Sequence, residues 1–246
     1  MPISKNFTSI HKKEWEITFL QCYPNGYLKY TDLCNIIQLT AAEHAELGGI
    51  SFSDMQLNVQ AWVLSRMRVE ISKMPKWKDT IVVKTWIISL ENSRSIRGME
   101  ILFNGEKIIG CETFWAVFNT KSRKPENLAI THSHFEKFSN KRATDIQFSK
   151  ININIDTNKV TEKTVLLSDL DIVNHANSVK YLEWCLDHVD TKLLLKQEMQ
   201  SFEMNYLKEV FLNEKVAINK SKSVNPLTFL VSSTQNSCFA LKLNFA

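Results

Sequence analysis

The feature that most constrains this 246-residue chain is that its pattern of elements is written twice. In the first pass "EWEITFLQCY" (14–23) alternates as a half-buried strand does, and the "PNG" that follows reads as a turn. "TDLCNIIQLTAAEHAELGG" then places Leu33, Ile36, Ile37, Thr40, Ala41 and His44 on one helical face, with Thr31 or Asp32 as cap and Gly48-Gly49 as the stop. Four strands come next: 60–72, 79–90, "IRGMEILFNGEKIIG" folded at an Asn104-Gly105 hairpin turn, and 111–119. A polar connection of about forty residues follows.

Beyond it the order returns. "VTEKTVLLS" (160–168) is strand-like, and "NSVKYLEWCLDHVD" carries Val179, Leu182, Leu186 and Val189 at helical spacing. "SFEMNYLKEV", "EKVAINKSKSV", "PLTFLVSST" and "SCFALKLNFA" read as four more strands. A long helix against an antiparallel sheet, made twice, is an α+β architecture of two units, which we divide at 1–130 and 131–246.

Several function classes lack their signature. The chain has six glycines and no GxSxG elbow, Walker loop or GxGxxG, so serine-hydrolase, nucleotide and dinucleotide chemistry have no support. Five widely spaced cysteines give neither a disulfide framework nor a zinc pattern, and they read as reduced thiols, mostly in the core. No apolar run is long enough to cross a membrane, and "MPISKNFTSIHKKEWEITF" has no signal-peptide core; the expectation is a cytoplasmic protein. A net charge of +4 is too mild for a nucleic-acid footprint, and its densest cluster is Lys121, Arg123 and Lys124. His132 and His134 have no acidic or cysteine cluster beside them, Cys185 reads as packing rather than as a nucleophile with His188, and His44 reads as a satisfied core histidine.

The copies differ between first strand and helix. The first has "CYPNGYLKYTDL", whose one acid is Asp32, and the second has "SDLDIVNHANS". Asp171 and His175 are four residues apart where a helix begins, beside backbone N–H groups and a partial positive charge. Acyl transfer to water needs such parts: a group to hold or deprotonate water, and donors for an oxyanion. Asp, Asn and Ser are also ordinary capping residues there, so spacing alone leaves capping and catalysis both open.

"SDLDIVNHANSVKYLEWC" (168–185) closely resembles the "D-x-D-x-N-x-H-V-N-N-x-K-Y" signature of the acyl-acyl carrier protein thioesterases. "WVLSRMRVEISKMPKWKDTIVVKTWI" (62–87) and "FWAVFNTKSRKPENL" (114–128) resemble further motifs of that family, in the same order. The resemblance implies a tandem double hotdog, each unit a long helix wrapped by a curved antiparallel sheet. The first unit would hold the acyl chain, with Ile37, Ala41 and Trp62 as candidate lining, and the second would hold the chemistry. The implied reaction is hydrolysis of an acyl-acyl carrier protein to a fatty acid, without metal or cofactor.

By the same resemblance Glu209 is the general base for water, and His175 holds that water or the thioester and serves the leaving thiolate. Asp171 orients the site, and N–H groups near Asn174 to Asn177 serve the oxyanion. The implied partner is an acidic acyl carrier protein docked on the basic cluster, with no nucleic acid or membrane and a monomeric or homodimeric state.

Two departures matter. Val210 stands where plant members carry a cysteine, and Val173 stands where the family has its catalytic asparagine. Valine neither donates nor accepts a hydrogen bond, so Asn174, Asn177 or backbone groups must replace that amide, or activity is reduced. The alternatives are an acyl-coenzyme A thioesterase and a catalytically weakened acyl- or carrier-binding protein.

Overall fold

In a computed structural model, which describes residues 3–234 and 236–246, the chain forms two compact units. The first comprises residues 1–65 and 72–147, and the second residues 66–71 and 148–246, so residues 131–147 group with the first.

The first unit opens with β1 (Ile10–Glu16) and a 3-10 turn at Phe19–Gln21. The strand lies earlier than the alternation of 14–23 suggested, because residues 17–23 bend into that turn. Helix α1 (Tyr30–Leu47) follows, capped by Lys29 with no side-chain bond, so Asp32 sits in the first turn instead of at the cap. The helix ends before Gly48-Gly49, and Gly49 takes a φ of 71°, which costs glycine nothing. After α2 (Phe52–Gln56) come β2 (Gln60–Ile71), β3 (Thr80–Glu91), β4 (Arg94–Phe103) and β5 (Glu106–Asn119). Strands β1, β3, β4 and β5 pair antiparallel in that order, and Asn104 and Gly105 both take positive φ at the β4–β5 hairpin, as its tight turn requires.

The second unit repeats the plan. It has β6 (Thr157–Thr164), a 3-10 turn at Leu167–Asp169, α3 (Ser178–Leu186) and α4 (Thr191–Leu195). Then come β7 (Met199–Tyr206), β8 (Lys215–Ser221), β9 (Leu227–Ser232) and β10 (Ser237–Phe245). Strand neighbours run β6-β8-β9-β10-β7, the same order as β1-β3-β4-β5-β2. Each helix buries its apolar stripe, Leu33, Ile36, Ile37 and Ala41 on α1 and Val179, Leu182, Cys185 and Leu186 on α3.

The polar connection is not a free linker. Phe135 and Leu128 are buried with Ile50, Met55, Ile87 and Val117 in one apolar cluster. Ala143 donates its N–H to the buried Glu112 at 2.9 Å, and in the second unit Ile151 donates to Asn205 Oδ1 at 2.9 Å. Among the described residues no helix is long and apolar enough to cross a membrane. Four cysteines are buried and Cys22 is half-buried, all as free thiols.

Trp86 shows how tightly the first sheet packs. Its ring is fully buried, its Nε1 donates to the Lys141 carbonyl at 3.0 Å, and it lies across from Gly98 on β4. A Cβ on Gly98 would stand 2.7 Å from that ring. We therefore expect Gly98→Ala to cost about 1–3 kcal/mol, measured as a lower denaturant midpoint. An unchanged midpoint would mean that the indole has room to retreat.

Candidate active site

The singled-out stretch folds into a closed loop. Leu170 and Ala176 pair as an isolated antiparallel bridge, and between them the Asp171 N–H donates to the His175 carbonyl at 2.9 Å. Asn174 N–H donates to the Asp171 carbonyl at 3.1 Å. Asp171 Oδ1 accepts from Val173 N at 3.0 Å and from His175 N at 3.3 Å, so the carboxylate braces the loop that carries the histidine. The buried Asp169 accepts Leu166 N at 2.9 Å and ties the turn before it.

The first unit builds the same loop from different residues. Cys22 and Leu28 form the matching bridge, Tyr23 N–H donates to the Tyr27 carbonyl at 2.8 Å, and Gly26 N–H donates to the Tyr23 carbonyl at 2.9 Å. Lys29 N–H meets the Gln21 carbonyl as Asn177 N–H meets the Asp169 carbonyl, both at 2.8 Å. Position for position, Asp171 corresponds to Tyr23, Asn174 to Gly26 and His175 to Tyr27. Gly26 has a φ of 81° and Asn174 a φ of 62°, so Asn174 occupies a left-handed position that only glycine or a short polar residue takes readily.

His175 Nδ1 lies 3.4 Å from Glu209 Oε1, and the ring packs edge-on against Phe211 at 4.9 Å. Glu209 lies just past β7, beyond the strand into which its sequence run had been read. Both side chains of the pair keep a path to solvent, at 16% and 29% exposed. The loops that carry them also expose Leu167, Ile172, Val173, Leu207 and Leu212, an apolar rim.

The structure thus brings Asp171, His175 and Glu209 together and leaves the two asparagines outside. Asn177 caps α3, its Oδ1 accepting from Val179 N at 2.9 Å. Asn174 is exposed, and its side chain has no hydrogen-bond partner among the described residues. The N–H groups of residues 173 to 177 all donate within the protein: to Asp171, to the Val210 carbonyl from Ala176, and to the Asp169 carbonyl from Asn177. Val210 is fully buried, which closes the position where a cysteine nucleophile would stand.

Of the other residues singled out, Lys121, Arg123 and Lys124 lie on an exposed turn after β5. His132 and His134 hold the Ile130 and Gly48 carbonyls, at 3.0 and 2.8 Å. Cys185 is buried, which pushes its thiol well above the ordinary range. Burial also keeps His44 as a core histidine.

The first unit holds a cavity of about 310 Å³ between α1, the turn at 50–53 and strands β2 to β5. Of the residues named for an acyl slot, Ala41 and Trp62 line this cavity; Ile37 does not, being fully buried in the core. Polar residues also line it: Gln38, Glu46, Ser51 and Ser53, and the buried Ser95 and Arg97, none of them singled out in the sequence. Period-two alternation along β4 places Ser95 and Arg97 with Met99 and Ile101 on the buried face, which is the signal that could have found these two.

Arg97 Nη1 donates to His44 Nδ1 at 2.7 Å and to Thr85 Oγ1 at 3.1 Å. A guanidinium only donates, so His44 is neutral at Nδ1 and carries its proton on Nε2, 3.0 Å from the Thr8 carbonyl. Burial and Arg97 pull the His44 pKa down to about 2, while burial brings Arg97 only to about 10, still charged at neutral pH.

Each unit sets a helix, of 18 residues in the first and nine in the second, against antiparallel strands, a hotdog-type fold. The chain belongs to the acyl-ACP thioesterase family: the N-terminal domain model matches residues 8–132 and the C-terminal domain model residues 152–242. An acyl-[acyl-carrier-protein] hydrolase of Cuphea viscosissima is 26% identical over 190 residues, which covers 72% of this chain and 46% of that protein. The chain spans about half the length of the curated relatives it matches. An acyl-ACP thioesterase of Bacteroides thetaiotaomicron shares the fold with a TM-score of 0.88 at 24% identity, covering 97% of this chain and 98% of that one. The 12:0-ACP thioesterase of Umbellularia californica does so with a TM-score of 0.79 at 18% identity, covering 97% and 98%.

The buried His44 makes stability depend on pH. Its pKa is lower folded than unfolded, so the unfolded chain binds the extra proton; stability is full above about 6.5 and is lost as pH falls toward 2. His11, also lowered by burial, acts in the same direction. Denaturant titrations should show the unfolding free energy dropping by about 1 kcal/mol per pH unit below 6.5, and dropping less in His44→Gln. Equal slopes in the two proteins would remove His44 as the cause.

Proposed function

We propose that this protein hydrolyses acyl-acyl carrier protein thioesters to a free fatty acid and the carrier thiol, on a tandem double hotdog. The first unit would receive the acyl chain in its cavity and the second would supply the chemistry. The observation that carries this reading is the His175–Glu209 pair, 3.4 Å apart, its histidine on a loop braced by Asp171 and both residues within the segment matched to the family's C-terminal domain.

Glu209 takes a proton from water as the water oxygen attacks the thioester carbon. His175 donates a hydrogen bond to the carbonyl oxygen and then gives its proton to the departing thiolate as the C–S bond breaks, and Glu209 passes the proton taken from water back to His175, 3.4 Å away, which restores the pair. Asp171 acts through the backbone of residues 173 and 175 and fixes the ring's position; it is a positioning residue. With the nearby N–H groups committed within the loop, the oxyanion depends on the His175 ring more than on the helix start. His175→Ala should therefore lower kcat at least about a hundredfold with an unchanged unfolding midpoint, measured by fatty-acid release from acyl-carrier protein. Unaltered turnover would exclude His175 from the reaction.

A second reading, a weakened enzyme that chiefly binds acyl groups, is favoured by Val173, a half-exposed side chain without an amide where the family has one. It predicts saturable binding of acyl-carrier protein without release of acid, and a gain of turnover in Val173→Asn.

The exposed turn of Lys121, Arg123 and Lys124 suits an acidic carrier. Raising salt from about 0.05 to 0.5 M should lower kcat/KM for the carrier substrate several-fold and leave a small acyl thioester unaffected. Equal responses would reject this docking face, and a preference for acyl-coenzyme A would reassign the substrate.

A further inference from the structure

The cavity of the first unit is not a plain hydrocarbon slot. Ala41, Ile50 and Ile87, with the rings of Trp62 and Trp115, make most of its wall apolar. Gln38, Glu46, Ser51 and Ser53 also line it but are not buried, whereas Arg97 and Ser95, on one face of β4, are buried polar groups at 5% and 4% exposed. Among the described residues no carboxylate stands within ion-pair distance of Arg97, whose only hydrogen bonds run through Nη1 to the neutral His44 and to Thr85. Its Nε and Nη2, and the Ser95 hydroxyl, have no partner there, yet none of them is sealed away as a buried orphan. Their remaining surface opens into the cavity that both residues line.

A guanidinium withdrawn from water is costly unless acceptors replace the lost hydration. A saturated chain filling this cavity would remove water from Nε and Nη2 and offer no acceptor in exchange. An oxygen atom on the bound chain would restore the hydrogen bond, in a setting where it is charge-assisted. His44 and Thr85 hold Nη1 in place, so the remaining donors are already oriented and little side-chain freedom is lost on binding.

We propose that this cavity selects acyl groups that carry an oxygen function, a hydroxyl, keto or carboxylate oxygen accepting from Arg97 beside Ser95, over unsubstituted hydrocarbon chains. The inference rests on the reading of the cavity as the acyl slot; it does not require turnover.

The test is calorimetric binding to the intact protein of non-hydrolysable pantetheine amides of equal chain length: dodecanoyl and its β-hydroxy, β-keto, terminal-hydroxy and terminal-carboxy derivatives. At least one oxygenated member should bind about tenfold more tightly than plain dodecanoyl, and Arg97→Met should erase that difference while retaining the plain chain. If Arg97→Met does not fold, Ser95→Ala should narrow the gap by about two- to threefold. Plain dodecanoyl binding as tightly as every oxygenated member overturns the proposal, as does a preference that survives Arg97→Met. Binding of no member at all removes the acyl slot and the proposal with it. Oxygen-selective binding without hydrolysis of the matching thioesters would instead uphold the selectivity and refute the hydrolase reading.

Discussion

The site depends on one closed loop, pinned by the Leu170–Ala176 bridge and by two backbone amides on the Asp171 carboxylate. That closure fixes where His175 emerges, how far it stands from Glu209 and where α3 begins, since Asn177 is both the end of the loop and the helix cap. It also consumes the backbone donors of residues 173 to 177. A loop so completely hydrogen-bonded is rigid at little cost, but it cannot lend those N–H groups to a substrate. In the proposed reaction the work would then fall to side chains, the Glu209–His175 pair above all.

The two units carry the same scaffold to different ends. With Tyr23, Gly26 and Tyr27 in the corresponding positions the first loop carries no acid–histidine pair, and its unit instead opens a cavity beside α1. Polar groups buried there are nearly all paired inward: His44 accepts from Arg97 and donates to Thr8, and Arg97 reaches Thr85. What is left over, the remaining guanidinium nitrogens and the Ser95 hydroxyl, faces the space a ligand would fill. On one backbone plan, residue choice thus gives the first unit a partly polar cavity and the second an acid–histidine pair.

The duplication was legible because both copies keep helical spacing on one element and period-two alternation on the strands. Asp171, His175 and Glu209 were legible through motif resemblance, and the family match agrees with that resemblance. The equivalence of the two loops was not, because "CYPNGYL" and "LDIVNHA" share no residue in register and are matched only by backbone hydrogen bonds. For the same reason Asn174 looked like a stand-in for the missing amide, while its place is set by a positive φ that Gly26 satisfies in the other copy. Arg97 was hidden by its own type: a charged residue within a strand reads as solvent-facing until alternation with Met99 and Ile101 is followed across it.

Direct attack of water at the proposed Glu209–His175 pair leaves no covalent intermediate, which a single-turnover reaction with acyl-carrier protein, followed by intact-protein mass spectrometry, distinguishes from an acyl-enzyme route. The account predicts free fatty acid appearing at the rate at which substrate disappears, with the protein mass unchanged throughout. An acylated protein that forms before the acid is released would contradict it, as would complete retention of the thioester by the folded protein.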